Sequence, residues 1–218
     1  MDPIEDKIGF LFDLDGVIID SEKEYSRIWS QINQEFPSDV NNLEQVIKGC
    51  TLSKILNDHY NTVEERIVVE KRLHELENKM QYEYLPNAKE FLIELKKRNL
   101  KCALVTSSDN KKMDHLKEEI PELLDFFNFV VTGDMVKSSK PSPEGYILAA
   151  SKLNKLPVNC VVFEDSLQGV MAGKNAETYV VGITGTFPIE KLNPYSDIIV
   201  NNLGELKLDN LIQELYRR

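Results

Sequence analysis

Short, continuously apolar runs that end in turn chemistry recur along this chain, and they constrain its fold more than any other feature. The first is Ile8-Gly9-Phe10-Leu11-Phe12, and comparable runs occupy residues 100–106, 129–132, 160–163, 179–183 and 197–200. A strand with one wet face alternates apolar and polar residues, whereas a strand covered on both faces reads as an unbroken apolar run. Helical patterns separate most of these runs. Residues 86–98 place Phe91, Leu92 and Leu95 on one stripe, with Pro86 expected at the helix start. Ser142 and Pro143 read as cap and first turn of a helix reaching Leu153, and a last helix is expected at 206–216. This strand–helix alternation predicts an α/β fold with a doubly wound, mostly parallel sheet.

The stretch between the first strand and Pro86 breaks the pattern. It holds helical periodicities at residues 21–36, 43–48, 52–60 and 63–84, the last opened by the capping box Thr62-Val63-Glu64-Glu65. That is too much helix for one crossover. Residues 18–85 are therefore expected to form an all-helical domain inserted into a discontinuous core of residues 1–17 and 86–218. Trp29, Ile67, Leu73, Leu76 and Met80 are expected in the core of that insert.

A net charge of -10 argues against nucleic acid or an anionic membrane as partner, because both select basic surfaces. No apolar run approaches the ~20 residues that span a bilayer. The acidic start, Met1-Asp2-Pro3-Ile4-Glu5-Asp6, lacks the basic n-region of a signal peptide, so the cytoplasm is the expected location. A monomer is the default expectation. Cys50, Cys102 and Cys160 are odd in number and widely spaced, which encodes neither a disulfide framework nor a zinc site. Cys102 and Cys160 fall in apolar runs and read as buried thiols. No role is assigned to His59, His74 or His115.

In open α/β sheets ligands bind beyond the carboxyl ends of the strands, so the residues each run delivers at its end are the informative ones. The first run delivers Asp13, Leu14, Asp15 and Gly16, the second Thr106-Ser107-Ser108, and the run at 160–163 delivers Glu164-Asp165-Ser166. Lys140 stands in the loop before the Ser142 helix. Asp13 is a competent nucleophile toward phosphorus when a metal offsets the repulsion between two anions. Asp15 suits general acid and then general base catalysis on the leaving group and on water. Backbone N–H groups around Leu14 and Gly16 can approach phosphoryl oxygens, since glycine puts no side chain in the way. Glu164 and Asp165, with Asp13, supply the hard oxygens that one magnesium ion prefers. Thr106 and Ser107 offer hydroxyl donors, and Lys140 offers a point charge among the carboxylates.

Each of these has a plainer reading alone: a turn or cap for Thr106, Ser107, Asp165 and Ser166, a solvated charge for Lys140. Asp13, Asp15 and Glu24 also match positions 1, 3 and 12 of a calcium loop. Val17 and Ile18 occupy the places where that loop needs a ligand and a glycine, and a strand rather than a helix precedes it. It is the set of strand ends together that carries phosphoryl-transfer chemistry.

That set resembles the haloacid dehalogenase superfamily, in the branch with a helical cap between the first two motifs. The four motifs stand in order as FDLDGVIIDSE, ALVTSSDN, SKPSPEGY and VVFEDSLQGV. The resemblance covers nearly the whole chain. It implies a Rossmann-like core, an aspartyl-phosphate intermediate at Asp13, and magnesium held by Asp13, the Asp15 backbone carbonyl, Glu164 and Asp165. It also implies that residues 18–85 close over the site and set specificity. The second aspartate, Asp15, marks phosphatases and phosphomutases; dehalogenases and phosphonate-cleaving members lack it. It argues against a phosphonate-cleaving enzyme with Lys23, Lys48 or Lys54 as Schiff base, and the intact acids argue against a non-catalytic regulatory protein.

Mutases of the family carry a cap histidine where this chain has Tyr25, and an arginine where it has Leu52. Neither residue can hold a second phosphate by charge. A phosphatase of a small phosphorylated metabolite, a sugar phosphate above all, is therefore expected, with a β-phosphoglucomutase-type phosphomutase as the alternative. Glu22, Tyr25, Trp29, Thr51 and Lys54 are the candidate specificity residues.

Overall fold

A computed structural model describes residues 5–217; residues 1–4, on which part of the leader expectation rests, lie outside the described residues. The chain runs β1 (Gly9–Phe12), α1 (Glu22–Glu35), α2 (Leu43–Val46), α3 (Leu52–His59), α4 (Val63–Glu77), α5 (Ala88–Lys97), β2 (Lys101–Val105) and α6 (Asn110–Glu119). It continues as β3 (Phe129–Val131), α7 (Glu144–Lys152), β4 (Cys160–Glu164), α8 (Leu167–Asn175), β5 (Tyr179–Ile183), α9 (Ile189–Leu192), β6 (Ile198–Val200) and α10 (Leu208–Arg217). Among the described residues the strands form one sheet in the order β3-β2-β1-β4-β5-β6, and every pairing is parallel. The expected doubly wound α/β core is present. Its order reverses between β1 and β4, which opens the crevice at the strands' carboxyl ends.

The unbroken apolar runs are explained by what covers each face. Phe10 and Phe12 of β1, Leu104 of β2 and Phe163 of β4 turn to the face packed by Phe91, Leu92 and Leu95 of α5, Leu116 of α6 and Leu211 of α10. Leu11, Ala103, Val105, Val131 and Val162 turn to the opposite face, under Ala149 and Ala150 of α7 and Ala172 of α8. Phe12 and Phe163 stack at 4.3 Å, with Phe91 edge-on to both. Truncating Phe12, which is fully buried, to alanine costs about 3–5 kcal/mol. Cys102 and Cys160 are buried free thiols, as their surroundings foretold. No helix among the described residues is long and apolar enough to cross a membrane.

Several boundaries differ from the sequence reading. Pro86 precedes α5 instead of opening it, because Asn87 takes the left-handed cap position at φ 65°. Pro143 rather than Ser142 is the cap of α7, although Ser142 Oγ still accepts a bond from Glu144 N at 3.3 Å. α10 begins two residues later than expected.

The largest departure is at α4, which stops at Glu77 and not at Tyr84. The residues beyond it are taken by backbone pairing: Asp20 N donates to Glu83 O and Leu85 N to Ile18 O, each at 2.9 Å. The chain thus leaves the sheet and returns to it along two adjacent, antiparallel segments. Ile67 is also not a core residue. It is 61% exposed on the outer face of α4, while Val69, Leu73 and Met80 are buried. Leu73, Leu76 and Met80 pack in the core as their spacing suggested, and Val69 takes the place expected of Ile67.

Candidate active site

The register that sets Phe12 beside Phe163 brings the next residues of β1 and β4 abreast, and Asp13 N donates to Phe163 O at 3.0 Å. Carboxylate oxygens of Asp13, Glu164 and Asp165 therefore lie within 4.8 Å of one another, all three residues buried. Two glycines permit this. Gly16 holds φ +76°, and a Cβ there would sit 2.0 Å from Asp165 Oδ2; a Cβ on Gly169 would sit 1.8 Å from the Glu164 carboxyl carbon.

Lys140 joins the cluster by donating to Asp13 Oδ1 and Glu164 Oε1, both at 2.5 Å, and to Val105 O at 3.2 Å. The Lys140–Pro141 peptide is cis. Glu164 Oε1 also accepts from Tyr146 OH at 2.8 Å, while its Oε2 accepts from the Asp165 and Ser166 amides and from Ser166 Oγ. Asp165 accepts a bond from the Thr186 hydroxyl.

One cation among three buried carboxylates leaves an uncompensated negative charge. Burial pushes the Asp13 carboxyl up to about 8, with Lys140 pulling it down and Glu164 and Asp15 pushing it further up. Burial also raises Asp165, reinforced by Glu164 and Asp13. Burial alone would depress the Lys140 ammonium, but Asp13 and Glu164 outweigh it and hold lysine's pKa above its usual range. Hard oxygen donors that are buried, convergent and short of positive charge fit a divalent cation.

Asp15 is set apart from this cluster. Lys112 Nζ, from the first turn of α6, donates to both its oxygens at 2.7 and 2.6 Å. Ser21 Oγ donates to Asp15 Oδ1, and Ser108 Oγ to Oδ2 at 3.3 Å. Next to Asp13 and Asp15 opens a cavity of about 120 Å³, walled by Trp29, Ile47, Leu52, Ile55 and Leu73 and carrying the polar groups Glu22, Tyr25, Glu44, Lys48 and Glu77. Glu22 is bonded to Lys48 at 2.6 Å, and Tyr25 OH donates to Glu77 Oε1 at 2.7 Å. Burial, then the Glu77 charge, hold the Tyr25 phenol well above its ordinary pKa.

Not every anticipated residue faces this space. Asp13, Asp15, Glu22, Tyr25, Trp29, Ser107 and Asp165 line the cavity. Leu14 is fully buried and contributes only backbone, its carbonyl accepting from the Ile18 and Ile19 amides. Thr106 lines a smaller pocket beside Lys140, and its hydroxyl is turned to Ser108 Oγ at 2.9 Å. Thr51 caps α3 and bonds Ser139 Oγ at 2.7 Å, which docks the insert on the loop carrying Lys140. Ser107 Oγ donates to Gly49 O at 2.9 Å in the same seam. Lys54 lies outside the cavity, half-exposed and paired with Asp58 one turn along its own helix.

Lys112, Tyr146, Thr186 and Glu77 escaped the sequence reading. Only Lys112 left a trace there: with Met113 and Leu116 it sits on the buried stripe of α6, an odd place for a charge. Tyr146 meets Glu164 18 residues on, Thr186 meets Asp165 21 residues back, and Tyr25 meets Glu77 52 residues on.

A family model described as haloacid dehalogenase-like hydrolase matches residues 10–183. A phosphorylated carbohydrates phosphatase from Thermotoga maritima is 33% identical over 76% of this chain and 80% of its own length. A β-phosphoglucomutase from Bacillus subtilis is 27% identical over 94% of this chain and 93% of its own. Among solved structures, a β-phosphoglucomutase from Clostridium difficile superposes with a TM-score of 0.78 at 27% identity, covering 96% of both chains.

Proposed function

Because the chain belongs to the haloacid dehalogenase-like hydrolase family, we propose that it is a magnesium-dependent phosphatase of a small phosphomonoester, a sugar phosphate in the first instance. Asp13 attacks phosphorus, the ester P–O bond breaks, and Asp15 as the acid gives its proton to the departing alkoxide. Asp15, now a carboxylate, takes a proton from water as that water attacks the aspartyl phosphate, releasing phosphate and restoring Asp13. Lys140 balances Asp13 and Glu164, and hydroxyls at the β2 end, Thr106 and Ser107, stand beside the phosphoryl group. Asp13, the Asp15 carbonyl, Glu164 and Asp165 would hold the magnesium, which supplies charge neutralisation between nucleophile and phosphate. Residues 18–85 act as a cap that encloses the leaving group.

The observation that favours hydrolysis over a mutase is the charge of the cavity. Among the described residues lining it, the cations are Lys48 and Lys112, and each is already bonded to a carboxylate, Glu22 or Asp15. Glu44 and Glu77 add negative charge. A bisphosphate intermediate needs a cation for its second phosphate, and none is free. An uncharged, hydroxyl-rich leaving group with an apolar face matches the walls instead. The T. maritima relative, named as a phosphatase of phosphorylated carbohydrates, is in keeping with this.

Phosphate release from a panel of sugar and polyol monophosphates, with magnesium and after chelation, tests the reading. Isomerisation of β-glucose 1-phosphate in the presence of its bisphosphate is followed in parallel. Metal-dependent release that outpaces isomerisation is expected; faster isomerisation would overturn the assignment.

A further inference from the structure

The ammonium of Lys112 is only 4% exposed, on the core side of the seam, and it spends two hydrogen bonds on Asp15. Burying a lysine is costly unless its charge is met, so this one is held for a reason of geometry. The hold is elaborate. Asp109 caps α6 and accepts from Lys112 N at 2.9 Å, fixing the first turn that carries the side chain. The Tyr25 ring, from the insert, lies under Nζ at 4.2 Å from its centroid. Tyr25 is fixed by Glu77 and Glu77 by His74 Nδ1 at 2.8 Å, while His74 Nε2, which makes no hydrogen bond among the described residues, stands 3.4 Å from the Asp109 carboxylate. The ring of contacts closes on the helix it started from.

A carboxylate with both oxygens taken by an ammonium is the form Asp15 has after the leaving group has its proton, when water must be activated. We propose that Lys112 is a positioning residue for the hydrolytic half of the reaction, aiming the Asp15 carboxylate at the water that attacks the phosphorylated Asp13. The assignment rests on the phosphatase reading and adds to it the residue that orients the base toward water. The balance is unchanged: water's proton goes to Asp15, its oxygen to phosphorus, and the Asp13–phosphorus bond breaks. Lys112 gives and takes nothing.

The test uses 4-nitrophenyl phosphate, whose phenolate leaves without a proton, so kcat/KM reports phosphorylation of Asp13 and kcat reports its hydrolysis. In K112M, kcat is expected to fall about 100-fold, the scale of a misplaced catalytic group, with kcat/KM changed less than about 3-fold. A burst of nitrophenol equal to the enzyme should appear, and phosphoenzyme should accumulate. K112R, which can still donate two bonds to Asp15, should recover most of kcat. Partial unfolding lowers both parameters together, so the split does not depend on the variant's stability. Equal losses in kcat and kcat/KM without phosphoenzyme, or no loss at all, would overturn the assignment. No phosphate release by the unaltered chain would overturn the phosphatase reading itself, and this assignment with it.

Discussion

The strand-end cluster and the cavity of the helical insert meet at Asp15 and are built on different principles. Asp13, Glu164 and Asp165 are buried at the ends of paired parallel strands, and Lys140 reaches Asp13 and Glu164 from the loop before α7. The insert's polar groups are bonded mostly to each other, Glu22 to Lys48 and Tyr25 to Glu77, on helices that meet the rest of the chain at Gly49, at Thr51 and along α6. The first arrangement is fixed by the sheet; the second is fixed by side-chain pairs, of which that of Tyr25 with Glu77 also reaches Lys112 beside Asp15.

Substitutions can break or sharpen this contrast. D13N should abolish turnover, by ~10⁴-fold or more, with the circular dichroism spectrum unchanged; retained activity would remove the nucleophile. K140M should lose activity and stability together. It leaves Asp13 and Glu164 buried without their cation, at about 3–5 kcal/mol in a urea melt without metal, and added magnesium should return part of that loss. G16A should fall next. Its φ of +76° and the Asp165 oxygen in the path of a new Cβ predict a loss of about 1–3 kcal/mol and weaker magnesium binding by calorimetry.

On the insert side, E22Q frees Lys48 and should change KM and substrate preference several-fold, leaving the melting temperature alone. If E22Q instead lowered kcat uniformly across substrates, the contrast between the two regions would not hold. The smallest effect concerns His74. Its bond to Glu77 raises the imidazole above its usual 6.5, burial opposing and the Glu77 and Asp109 charges assisting. The folded-state value is the higher one, so the stabilisation is complete below about pH 6.5 and is lost as pH rises through the folded-state value. H74Q should flatten that part of the stability–pH curve in thermal melts and leave the acid limb in place.

The same contrast explains what could be read in the sequence. Unbroken apolar runs announced a sheet covered on both faces, and the residues at their ends named the cluster, because strand ends inherit their location from the sheet. α4 was read seven residues too long because Met80 and Tyr84 continue its spacing, whereas pairing of Glu83 and Leu85 with residues 18 and 20 decides the backbone there. Ile67 was misplaced for a related reason. Periodicity says that a helix has a face, but only its neighbours say which face is covered. Lys112 was overlooked because its partner lies 97 residues away, a pairing that no local pattern encodes.

The proposed reaction turns on Asp13 carrying the phosphoryl group. The chain is mixed with magnesium and 4-nitrophenyl phosphate, quenched in acid within milliseconds, digested, and examined by mass spectrometry. One phosphoryl group on the peptide containing Asp13, absent from D13N, is the expected result. Phosphate release with no such adduct at any time, or an adduct on another residue, would contradict it.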